Sequence, residues 1–107
     1  MNREELIAAL ELPTDPVLHS QRLVWFMVSV MTIEGFRFIL SRSHHRPKGL
    51  PAWRASFCRY GGKANRWFCG HPGEAVVKAA MIARYNREHP EDRYVQRLNT
   101  PKGHYEE

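Results

Sequence analysis

Apolar residues recur at helical spacing close to the start of the chain. Leu6, Ile7 and Leu10 fall on one side of a helix, and a proline ends the pattern shortly afterwards. Asn2 stands before this stretch, and Glu5 comes three residues after Asn2, which is the signature of a capping box. The pattern predicts a short first helix.

A second and more apolar helix is predicted from Pro16 to Glu34. Asp15 is a suitable N-cap for it, and Gly35 can end it in the left-handed conformation. The 11 residues Leu23–Ile33 are apolar on nearly every side, so they should be buried either by a sheet and a neighbouring helix or by a second subunit. This stretch is too short to cross a bilayer, which takes about 20 residues.

Three later stretches alternate between apolar and polar residues, which is the period of half-buried strands. We expect strands near 36–41, 53–60 and 65–69, with a hairpin turn centred on Gly62 and Lys63. In this register Phe57 faces Phe68 on an apolar face of the sheet. The opposite face is then a mixed polar one, made of Arg37, Ile39, Ser41, Arg54, Ser56, Cys58, Tyr60, Trp67 and Cys69.

Pro72 and Glu74 mark the start of a last helix, which should stop before Pro90. The order helix, helix, strand, strand, strand, helix, with short connections between the strands, predicts an α+β fold with a three-stranded antiparallel sheet packed against helices. Residues 1–90 should form one domain. Residues 91–107 are polar and without periodicity, and we expect a frayed tail there.

Positive charge is concentrated in the middle of the chain. The whole chain of 107 residues carries a formal net charge of +5, yet no acidic residue occurs between Gly35 and Gly73. Most cations of this segment are arginines, which suit bidentate contacts with phosphates or carboxylates. The segment therefore predicts an anionic partner, although a solvated face that keeps the protein soluble is the alternative. The residues expected to bind it are Arg42, Arg46, Lys48, Arg54, Arg59, Lys63 and Arg66.

Two aromatic residues of the predicted polar face, Tyr60 and Trp67, are candidates for stacking on nucleic-acid bases. Guanidinium and aromatic groups side by side are typical of surfaces that bind single strands. If a helix covers that face instead, Trp67 and both cysteines belong to the core.

Enzyme and metal chemistry find little support in the residue pattern. Zinc would need His44, His45 or His71 with Cys58 and Cys69, but the spacing of these cysteines is not that of a zinc knuckle. A nuclease built on histidine and asparagine lacks the carboxylates that hold Mg²⁺. Nucleotide-binding and nucleophile motifs are missing as well. We therefore expect a non-enzyme without metal or cofactor.

Since residues 1–12 do not resemble a secretory signal, we also expect a cytoplasmic location with free thiols.

Four phrases of the chain, in this order and spacing, resemble small phage and prophage proteins of the phage ABA sandwich family. They are REELIAALE at 3–11, TIEGFRF at 32–38, WRASF at 53–57 and GEAVVKAA at 73–80. The family usually has tryptophan where this chain has Phe36, and often Thr-Pro where it has His71 and Pro72. The resemblance implies a phage origin, a sheet sandwiched by helices and no catalytic residues.

The order of elements is also similar to double-stranded RNA-binding domains, but Glu74 stands where those domains place lysines.

These observations lead to one expected function and two alternatives. The expectation is a non-enzymatic, phage-encoded protein that uses its basic, arginine-rich surface to inhibit a host defence complex, in the manner of anti-CRISPR proteins. The first alternative is a protein that binds single- or double-stranded nucleic acid. The second is a structural or regulatory phage protein that dimerises through the Leu23–Ile33 helix.

Overall fold

The computed structural model describes residues 1–42, 53–59 and 65–96, together with the backbone of 98–100 and 103–105. The predicted site residues Arg46, Lys48, Tyr60 and Lys63 lie outside these ranges, as does the predicted hairpin turn. The elements are α1 (Arg3–Glu11), a 3₁₀ helix (Pro16–His19), α2 (Gln21–Ile33), β1 (Arg37–Arg42), β2 (Trp53–Cys58), β3 (Asn65–Cys69), α3 (Pro72–Glu88), β4 (Leu98–Thr100) and β5 (Gly103–Tyr105).

The predicted fold class is confirmed: three α-helices and a three-stranded antiparallel sheet follow one another in the expected order. The capping box of α1 is present, since the Glu5 amide donates to Asn2 Oδ1 at 2.8 Å and the Asn2 amide donates to Glu5 Oε1 at 3.0 Å. Such a cap satisfies two amide donors that the first turn of a helix leaves unpaired.

The predicted second helix is divided in two at Ser20. Asp15 caps the 3₁₀ helix, and Ser20 is extended, with φ −61° and ψ 142°. The Ser20 hydroxyl accepts a hydrogen bond from the Leu23 amide at 3.3 Å, so this serine begins a new helix instead of continuing the old one. Gly35 ends α2 as predicted, with φ 96°.

The pairing of β1 with β2 agrees with the predicted faces, but the predicted pairing of β2 with β3 is wrong. Phe57 lies opposite Asn65, not Phe68, which is a shift of three residues. Because side chains alternate along a strand, an odd shift turns every side chain of β3 to the other face. Trp67 and Cys69 therefore share the face of Phe57, and Phe68 joins the polar face.

The helices of the described residues pack on one face of this sheet, not on both. α2 and α3 cover the face of Ala55 and Phe57, both of which are fully buried. α1 lies farther out and packs Leu6 and Leu10 against side chains of α3. In these residues the fold thus has a helical layer and a sheet layer, and the sheet's second face is the polar one.

The described segment directly after α3, residues 89–96, is hydrogen-bonded to the rest of the fold. Asp92 accepts hydrogen bonds from Arg3 Nη1 at 2.9 Å and from the Tyr85 hydroxyl at 2.6 Å. The Gln96 side chain bonds to both the amide and the carbonyl of Phe68, at 2.7 and 3.2 Å. Side-chain hydrogen bonds provide this attachment, which explains why the sequence shows no periodicity here.

Candidate functional site

The polar face of the sheet is the surface that best matches the predicted anion site. We call it the arginine face and define it by the outward side chains of its three strands: Arg37, Ile39 and Ser41, then Arg54, Ser56 and Cys58, then Arg66 and Phe68. On it, Ser56 pairs directly with Arg66, and Arg54 is the diagonal neighbour of Arg66. Two of the predicted binding residues thus come together around a central serine.

At the centre of the arginine face, two polar atoms have no hydrogen-bond partner among the residues that the structure describes. Ser56 is only 2% exposed, and neither its Oγ nor the Nε of Arg54 has a partner within the described ranges. A buried polar atom without a partner costs roughly 1–3 kcal/mol. Both groups are hydrogen-bond donors, and donors of this kind bind oxyanions.

Arg66 lies beside these groups and is held against an aromatic ring. Its guanidinium carbon is 5.7 Å from the centroid of the Phe68 ring, on the same face of the sheet. This contact limits the positions that the guanidinium can take. Arg66 therefore contributes an oriented positive charge next to Ser56.

Carboxylates are absent from all three strands of this sheet, so nothing on the strands neutralises the arginine face. Three arginines of the helical layer differ, because they have acidic partners. Arg84 and Arg87 both bond to Glu34, at 3.0 and 3.1 Å, and Arg3 bonds to Asp92. The excess of positive charge among the described residues accordingly lies on the sheet.

Three other predicted site residues occupy different places. Arg42 is exposed at the far end of β1, and Arg59 follows β2, with its guanidinium carbon 4.9 Å from the Phe36 ring centroid. Trp67 packs between both core clusters beneath the helices, so it cannot stack on bases from the polar face as predicted. Cys58 and Cys69 are free thiols on opposite faces of the sheet, not on one face.

A polar cluster that the sequence analysis did not identify lies where α3 begins. His71 is the N-cap, and its Nδ1 accepts hydrogen bonds from the amides of Gly73 and Glu74 at 3.1 and 3.4 Å. The ring of His19 packs against His71 with 4.6 Å between centroids, and His19 also bonds to the Thr14 hydroxyl. Histidine is an uncommon N-cap, so the sequence gives only a weak signal for it.

Charges in this cluster are paired. Burial acts to raise the pKa of Glu74, but the hydrogen bond from the Thr14 amide and the bond with Lys78, 3.3 Å away, together hold that pKa below its ordinary value. Burial raises the pKa of the Cys69 thiol, which donates to the His71 carbonyl. Within residues 1–42, 53–59 and 65–96, no three His, Cys, Asp or Glu side chains are placed to hold a metal ion.

A second exposed feature is apolar and lies on α2. Leu23, Phe26, Val30 and Ile33 form what we call the α2 stripe, on the side of the helix away from the sheet. Phe26 and Ile33 are 67% and 85% exposed, which is unusual for residues of this size. The sequence predicts that α2 has more apolar residues than one buried side needs, but it does not predict which side of the helix is left uncovered.

No family model, curated protein or solved structure matches this chain. The resemblance to phage ABA sandwich proteins therefore stays a prediction. None of the helices in the described part of the chain is long and apolar enough to span a membrane.

Proposed function

We propose that this protein is a non-enzymatic binding protein whose arginine face engages an anionic surface of a macromolecular partner. The observation that carries the proposal is Arg54, whose Nε atom has no partner within the described ranges and which lies on a sheet without carboxylates. Cationic groups of this kind bind carboxylates or phosphates and speed association with oppositely charged partners.

The partner class that we propose is a host defence complex, which the protein would inhibit as phage-encoded anti-CRISPR proteins do. Support for the phage origin comes from the sequence resemblance alone. An effector complex with a bound guide RNA offers acidic protein surface and phosphates together, and a guanidinium binds both. Inhibition by occupying such a surface requires no catalytic group.

The test is phage plating on a panel of CRISPR-immune bacteria that express this protein. We expect plating to rise by orders of magnitude in at least one strain, and Arg54→Gln to abolish the rise. Arg22→Gln removes one charge from an exposed residue of α2 and is the matched control, so it should keep the rise. Plating that stays low in every strain, or that Arg54→Gln does not alter, would contradict the proposal.

Direct binding of nucleic acid is the second candidate, favoured by the pair of Arg54 and Arg66 beside a serine hydroxyl. Fluorescence anisotropy with labelled single- and double-stranded oligonucleotides tests it. For this function, affinity should fall steeply with salt, and Arg54→Gln should lower the log–log salt slope by roughly one. A partner made of protein would leave the oligonucleotides unbound.

A further inference from the structure

The α2 stripe has the spacing of a helix–helix seam. Its residues are separated by three, four and three positions, which is the a/d repeat of a coiled coil. Val24, Val28 and Met31 occupy the opposite side of α2 and pack against the sheet and α3. The helix thus has one apolar side buried within the chain and a second one facing outward.

The α2 stripe continues into Leu18 and forms one exposed apolar patch. Leu23, Phe26 and Ile33 are 39%, 67% and 85% exposed, and the adjacent Leu18 is 38% exposed. Taking a large side chain as roughly 200 Å², these four residues expose roughly 450 Å². This is more than half of the roughly 800 Å² per partner of a stable interface, and a polar rim adds to it.

The stripe complements itself when two copies run antiparallel. Leu23 of one copy then lies opposite Ile33 of the other, and Phe26 lies opposite the smaller Val30. No stripe residue carries a charge, so the copies meet without repulsion along the seam.

From these observations we propose that the protein forms a homodimer through antiparallel packing of two α2 stripes. The interface is isologous, because each copy contributes the same residues. The arginine face lies on the other layer of the fold, so each dimer presents two arginine faces. The dimer is therefore a bivalent form of the binding protein, but its existence does not depend on what the arginine face binds.

Light scattering during size-exclusion chromatography measures the assembly directly. We expect twice the chain mass of 12.5 kDa for the wild type at micromolar concentration. Phe26→Glu should give 12.5 kDa, because a charge at the centre of the seam weakens dimerisation more than tenfold. Leu12→Glu is the control, since Leu12 is 63% exposed but lies outside the stripe, and this variant should stay dimeric. Circular dichroism confirms that both variants fold.

Cysteine crosslinking tests the antiparallel arrangement in a Cys58→Ser, Cys69→Ser background. Ser29→Cys lies close to the centre of the seam and should form an intermolecular disulfide. Arg22→Cys should not form a disulfide, because position 22 of one copy lies opposite position 34 of the other. The two introduced cysteines are then about 12 residues apart along the helix axes, which is about 18 Å at 1.5 Å per residue. A monomeric wild type, a dimer that persists in Phe26→Glu, or equal crosslinking at both positions would overturn the proposal.

Discussion

Asn86 donates a hydrogen bond of 2.8 Å from its Nδ2 to the Oδ1 of Asn65, and both side chains are buried. Asn65 in turn donates to the Phe57 carbonyl at 2.7 Å. Asn86 also bonds to both backbone groups of Tyr94, accepting from its amide at 2.7 Å and donating to its carbonyl at 3.0 Å. These two asparagines thus join β2, β3, α3 and the segment after α3.

Removing this connection should destabilise the whole fold. Asn86→Ala leaves the Tyr94 amide and Asn65 Oδ1 without partners, and we expect a loss of about 2–3 kcal/mol in the free energy of unfolding. Urea denaturation measures it. The double variant with Asn65→Ala should lose less than the two single variants added together, because they share a bond. Strict additivity would show that the two side chains are not coupled.

Gly35 should not tolerate a side chain, although nothing crowds it. Its φ of 96° is unfavourable for other residues, and we expect Gly35→Ala to cost about 1–2 kcal/mol of folding stability. Gly70→Ala is the matched control, since that site is open and its φ lies outside the left-handed range. The free energy of unfolding of Gly70→Ala should stay within about 0.5 kcal/mol of that of the wild type. Equal melting temperatures for Gly35→Ala and Gly70→Ala would show that Gly35 does not need its left-handed conformation.

Glu74 should make stability depend on pH in the acid range. The pKa of Glu74 is lower in the folded protein than its ordinary 4.5, so the unfolded chain takes up the proton first as pH falls. The contribution of Glu74 is therefore complete above that ordinary value and is lost as pH falls through the lower folded pKa. Denaturation across this range should show a shallower decline for Glu74→Gln than for the wild type. If the stability of Glu74→Gln fell as steeply with pH as that of the wild type, the ion pair of Glu74 with Lys78 would not contribute to stability.

Cys69 should be a slow nucleophile. Burial raises its pKa, so less of the reactive thiolate is present at neutral pH than in a solvated cysteine. Mass spectrometry of the Cys58→Ser variant should show slower alkylation by iodoacetamide than that of a cysteine peptide at the same pH. Alkylation at the peptide's rate would mean that the thiol is not shielded.

Local signals in the sequence were sufficient for most element boundaries and for the order of the fold. Asn2, Asp15, Gly35 and Pro72 each act within one turn of the chain, so their effects can be predicted without knowing what packs nearby. The register of β3 could not be predicted in this way. Gly61 and Gly62 permit more than one turn, and the choice depends on which face of β3 the helices cover.

The candidate site was predictable only in part for the same reason. Arg54 and Arg66, two of the predicted site residues, lie on one face of the sheet, but the three-residue shift exchanged Trp67 for Phe68 beside them. The link through Asn65 and Asn86 gave no signal, since side-chain amide bonds between distant residues follow no period. Charge patterning therefore points to the arginines as candidates but gives no indication of the aromatic residue that accompanies them.

Anion binding by the arginine face can be observed residue by residue with NMR of the arginine side chains. Tripolyphosphate would be titrated into ¹⁵N-labelled protein while the Nε–Hε signals are recorded. We expect the signals of Arg54 and Arg66 and the amide of Ser56 to move together to saturation, while the Arg22 signal stays in place. Shifts spread evenly over all arginines, or a stationary Arg54 signal, would contradict it.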